Sequence, residues 1–156
     1  MDAQAELKRI VPQSANQTIG VDQFTASEPG QTEIVCRGVG PIKTPDGETF
    51  EAFVQKALID QLRLAELYAL NAPVRIGGNL DEFSFSSMGG LWSLALTVTD
   101  NSGRSFSIRE DYDYQSSWSG ETACNQTAQA LMPAVQNLIH KVVSHPAFRE
   151  MITGSG

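Results

Sequence analysis

"LWSLALTVTDNSGRSFSIREDYDY", residues 91–114, decides the architecture. Trp92, Leu94, Leu96 and Val98 alternate with Ser93, Ala95, Thr97 and Thr99, the period of a strand with one face turned from water. "DNSG" (100–103) then supplies the Asn and Gly that a tight hairpin turn needs for positive φ. The chain returns with Phe106, Ile108, Tyr112 and Tyr114 in one phase, and Glu110 falls in that phase as well. Two adjacent strands with apolar faces of matching phase predict an antiparallel sheet covered on one side only.

Upstream, Val74, Ile76 and Leu80 share one parity while Phe83 and Phe85 share the other. A ladder of period two cannot hold both sets on one face, so a bulge or bend is expected near Asp81–Glu82. Before it, Phe50, Phe53, Val54, Ala57, Leu58, Leu62 and Ala65 form a one-sided stripe that predicts a helix over 50–69. Thr49 suits its N-cap, and Asn71–Pro73 ends the run. Earlier still, Ile19 and Val21 suggest a short first strand, and "TEIVCRGVG" (32–40) a second, with Cys36 facing the same way as Ile34.

Downstream, Leu131, Val135, Leu138, Ile139 and Val142 mark a closing helix, capped by Ser119 or Thr122. Pro133 lies inside that pattern and predicts either a kink near 129–133 or a fresh helical start. Ser144–His145–Pro146 stops the helix, and "AFREMI" makes a final turn. The order β-β-α-β-β-β-α, with one apolar side on every element, predicts an α+β two-layer sandwich: a mostly antiparallel sheet with two long helices on one face. Residues 18–153 are expected to form this single domain, after a polar lead-in (1–17) and before an appended "GSG" tail (154–156).

Composition narrows the function classes. A formal charge of −7 argues against nucleic acid and against charge-driven binding to an anionic bilayer. No stretch approaches the about 18 apolar residues of a membrane span, and residues 2–18 lack the apolar core of a signal peptide. No cofactor motif is present. His140 and His145 are not spaced to share a helix face and have no Cys-x-x-Cys beside them, so no metal site is expected. The Gly-rich pieces "GGNL" and "MGGLW" lack the following helix of a phosphate loop, and the Ser-rich pieces lack a nucleophile elbow.

Glu110 and Asp113 are the candidates for acid–base chemistry in a small hydrolase. The bland alternative is that Asp113 lies on the solvated side of its strand while Glu110 reaches water near an edge. Met88 and Trp118 sit in Gly/Ser-rich loops where no core pattern places them, which suits binding contacts. They could equally fold back over the sheet edge. The two cysteines, Cys36 and Cys124, stand 88 positions apart. One reading pairs them as a disulfide between a strand and the first turn of the covering helix, with a chain-entropy stabilisation of at most about 4–5 kcal/mol. Two buried reduced thiols, or a reactive Cys124 at a helix N-terminus, are the alternatives.

The strand pair, the "TFEAFVQKALIDQL" helix, the "VRIGGNLDEFSF" strand, the "LWSLALTVTD" hairpin and the long closing helix resemble the TolB amino-terminal domain. They also resemble the ABC-transporter auxiliary lipoproteins and the outer-membrane lipoproteins that activate peptidoglycan synthases. The resemblance covers roughly residues 18–143 and rests on element order; the lipobox of those families is absent here, and the cysteine pair is not one of their hallmarks. It implies a non-enzymatic accessory module of the bacterial cell envelope, periplasmic or outer-membrane-anchored with its signal and lipobox trimmed, docking on an envelope protein partner. A cytoplasmic address is the alternative. A small-molecule or lipid cargo binder, with a pocket between helices and sheet, is the second function expected.

Overall fold

In the computed structural model, residues 18–153 are described; the polar lead-in and the "GSG" tail lie outside them. The elements are β1 (Ile19–Val21), β2 (Thr25–Ala26), β3 (Glu33–Cys36), β4 (Gly40–Lys43), α1 (Phe50–Leu64), β5 (Val74–Ser86), β6 (Leu91–Asp100), β7 (Ser105–Asp113), α2 (Gly120–Ser144) and α3 (Pro146–Thr153). The α+β class stands. β5, β6 and β7 form an antiparallel meander, and β1 and β2 run parallel to β5 along its outer side. Trp92, Leu94, Leu96 and Val98 are fully buried beneath the helices, whereas the alternate positions of β6 are at least partly open. α2 packs on β6 and β7, α1 on β5 and β1, and the two helices touch each other.

The expected bulge is present. β5 shifts register between Leu80, opposite Leu96, and Glu82, opposite Ala95. The extra residue, Asp81, lets Leu80 and Phe83 both face inward, so Phe83 stacks on Phe50 with ring centroids 4.3 Å apart. Thr49 caps α1 through its side chain, which accepts from the Ala52 N–H at 3.1 Å.

Three expectations need correction, and the alternatives for α2 are narrowed. Residues 32–40 are not one strand of the main sheet: β3 turns back into β4 as a separate hairpin. Arg37 and Gly38 both carry positive φ, 52° and 78°, and the Val39 N–H donates to the Cys36 carbonyl at 2.9 Å, the geometry of a type I′ turn. α1 ends at Leu64 rather than near 69. Glu66 takes φ 61°, the Leu67 N–H reaches the Leu62 carbonyl and the Glu66 N–H the Arg63 carbonyl, a Schellman closure that buries Leu67 against Leu62. Of the alternatives for α2, the fresh start at Pro133 does not occur, since one helix runs through it, and Ser119 is the cap of the two expected. Gln129, whose carbonyl loses its helical donor, lies in an exposed stretch where water can satisfy it. The final turn is a full helix, α3, which buries Phe148, Met151 and Ile152.

Candidate docking surface

The cysteines meet. Cys36 and Cys124 form a disulfide with Cα atoms 6.0 Å apart, and among the described residues no cysteine is free. Cys36 comes from the end of β3 rather than from the sheet beneath α2, so the bridge ties the hairpin turn to the beginning of α2. That anchorage positions the next residue, Arg37. Its Nε donates to Ser87 Oγ at 2.8 Å and its Nη1 to the Ser117 carbonyl at 3.4 Å, so one guanidinium spans two loops. A bulky side chain held at positive φ costs of order 1 kcal/mol, which the surrounding contacts must offset.

The same two loops are joined without Arg37. Ser116 Oγ donates to the Ser87 carbonyl at 2.6 Å, and the Tyr114 N–H donates to the Gly90 carbonyl at 2.9 Å. Gly90 has φ 65°, and a Cβ there would collide with the Tyr114 carbonyl oxygen; only glycine fits. Tyr114 reaches inward from this junction, with its hydroxyl 2.5 Å from Thr127 Oγ1 on α2. Burial raises the Tyr114 pKa, opposed by that hydrogen bond and by the nearby Arg37 charge. The Thr127 carbonyl in turn accepts from Trp92 Nε1 at 2.9 Å, so this polar chain connects the loop junction to the core.

On that rigid base stand the two residues singled out in the loops. Met88 is 73% exposed and Trp118 96%; neither folds back over the sheet. With Arg37, Ser116 and Ser117 they line a concavity of about 500 Å³. Val35 and Val39 on the hairpin are also exposed, and Val39 lies within reach of Gly120 at the start of α2. The concavity therefore presents two apolar anchors, Met88 and Trp118, with the Arg37 guanidinium held between its two loops. Arg37, Val35 and Val39 carry no signal of their own in the sequence beyond the Arg-Gly pair after a cysteine, because their neighbours come from other elements.

The acid candidates do not converge. Glu110 is buried on the helix side of β7, where Lys141 Nζ lies 2.6 Å from Oε1 and Asn137 Nδ2 donates to Oε2 at 3.2 Å. Asp113 is exposed and, at odd spacing from Glu110, points to the other side of the sheet. On that solvated side Arg109 pairs with Glu82 and Asp111, and its hydrogen bond holds the Glu82 carboxyl below the usual range. Among the described residues no three His, Cys, Asp or Glu side chains are grouped to hold a metal ion, and no described helix is long and apolar enough to cross a membrane. His145 stacks on Phe106 and His140 is part-buried beside α2's apolar stripe.

No family model matches this chain, and no curated protein is significantly similar to it in sequence. Among solved structures, the crystal structure of protein XCC0632 from Xanthomonas campestris, of family DUF330, is similar with a TM-score of 0.50. The match covers 85% of this chain and 89% of that one at 11% identity, a likeness of fold alone.

Proposed function

We propose that this fold is a non-enzymatic docking module of the bacterial cell envelope, and that its partner protein seats on the Met88–Trp118 face. The observation carrying this reading is the convergence of two exposed anchors from separate loops on one concavity of about 500 Å³. Trp and Arg dominate the energetics of protein interfaces, and a rigid base lowers the ordering cost of binding. Here hydrogen bonds and a disulfide immobilise the loops before any partner arrives. The disulfide supports an oxidising compartment, hence a periplasmic or outer-membrane-anchored address. The element order, similar to the TolB amino-terminal and auxiliary-lipoprotein group, supports the same assignment.

Hydrolase chemistry has less support, because Glu110 is consumed by Lys141 and Asn137 while Asp113 faces away. A site-specific photo-crosslinker at position 118, compared with one at the solvated position 113, tests the docking reading in the native host. The expected result is one discrete adduct from 118 only. Its partner, purified, should bind the intact chain at least about tenfold more tightly than Trp118→Ala or Met88→Ala variants. Equal affinities, or adducts of the same pattern from both positions, would sink the proposal.

A further inference from the structure

A second feature lies on the opposite flank of β5. Its outer side is paired by β1 at Val74–Ile76 and by β2 at Asn79–Leu80. From Glu82 to Ser86 its ladder partners all lie on β6, so among the described residues the outer backbone groups have no strand beside them. Natural sheets blunt such edges, often with lysine. The edge at β7 is treated that way, since Lys141 Nζ donates to the Arg109 carbonyl at 3.1 Å. No Lys or Arg lies within Glu82–Ser86.

Beside this edge opens a slot of about 250 Å³, formed by β5 between 80 and 84, by Glu28 and Gln31, and by Phe50 and Glu51 in the first turn of α1. It is smaller than the pockets that enclose whole drug-sized ligands. Among the described residues no Lys, Arg or His lines it. Asp81 and Glu82 are engaged elsewhere, with Thr97 at 2.6 Å and Arg109 at 2.8 Å. Glu51 is different. It is only 8% exposed, its Oε2 accepts from the Gly30 N–H at 3.0 Å, and among the described residues its buried Oε1 has no hydrogen-bond partner. A buried carboxylate oxygen left unpaired is costly, and a charged donor is its strongest remedy.

We infer that this slot receives an extended segment of a partner protein, which adds as a strand beside Glu82–Ser86 and delivers a lysine or arginine side chain to Glu51. The open backbone edge supplies hydrogen bonds to any extended chain, and the acidic slot supplies the preference for a basic one. The two observations are independent: one is the end of β2 pairing, the other the orphaned oxygen on α1.

Amide hydrogen exchange and chemical-shift titration of the full chain test this, using a blocked hexapeptide of alternating valine and lysine as probe. A valine–glutamate counterpart and n-butylamine serve as comparisons. The lysine peptide is expected to slow exchange of amides within Glu82–Ser86, and the Glu51→Gln variant to bind it about tenfold more weakly. Glu28→Gln, at an exposed position, should weaken binding severalfold even if the Glu51 variant folds poorly. Trp118→Ala should leave the response intact, which separates the slot from the docking face. An equal response to the glutamate peptide, saturation by butylamine without exchange protection, or no response to the lysine peptide would each overturn the inference.

Discussion

Glu110 is legible in the sequence as an oddity, an acid in the apolar phase of β7, but its partner is not. Lys141 and Asn137 come from a helix whose rotation about its axis is set only when it packs. Removing Lys141 leaves the carboxylate buried with, among the described residues, the Asn137 hydrogen bond alone. Lys141→Ala should therefore cost about 2–3 kcal/mol, less than the about 3–5 of a fully buried pair, because Lys141 is itself half exposed. Urea unfolding measures this. A Glu110→Leu, Lys141→Met double variant should recover most of the loss, since no charge is then stranded. Asp100 makes a second residue-scale prediction. Burial alone would raise its pKa, but hydrogen bonds from the Arg104 N–H and from Ser102 outweigh it, and the net shift is downward. A folded pKa below the unfolded value of about 3.9 means its contribution is complete above that pH and is lost as pH falls through the folded value. Asp100→Asn should therefore show a shallower stability loss between about pH 5 and pH 3 than the parent chain, by the same unfolding assay.

Elements were readable wherever a whole apolar face is sequestered. The stripe of α1, the alternation of β6 and the parity break in β5 each record which positions avoid water, and each appears as expected. Element ends were not readable where tertiary contacts override local preference. Glu66 adopts a conformation that usually selects glycine because doing so lets Leu67 reach the core and the backbone at 69 bond Ile19. Likewise, the type I′ turn at Arg37-Gly38 splits what alternation alone presents as one strand. Pro133 breaks a rule without breaking α2, because its missing bond falls on an exposed side. Restoring that bond with Pro133→Ala should raise Tm by about 3–6 °C; the gain is less than the full helix-interior penalty because the unfolded chain also becomes more flexible. Thermal unfolding followed by circular dichroism checks it, and an unchanged or lower Tm would show that the proline ring itself packs usefully.

For the whole molecule, the decisive event is closure of the 88-residue span between Cys36 and Cys124. Reduction, or a Cys36→Ser, Cys124→Ser double variant, should lower stability by at most about 4–5 kcal/mol, read from urea midpoints with and without reductant. The loss should be local first: amide exchange should quicken at Arg37–Val39 and Ser117–Gly120 before the β5–β7 meander, because the bridge fastens the hairpin rather than the sheet. Periodicity, by itself, determined a half-covered antiparallel sheet, two helices lying on it, and the bulge that reconciles Leu80 with Phe83. Those follow from which side of each element leaves water, a property written locally along the chain. Only the folded molecule decided that Arg37 would bridge Ser87 and Ser117, that β1 and β2 would run parallel to β5, and that Met88 and Trp118 would share one hollow. Each of those depends on segments far apart in the chain meeting at a definite register and rotation, and local spacing carries no record of either.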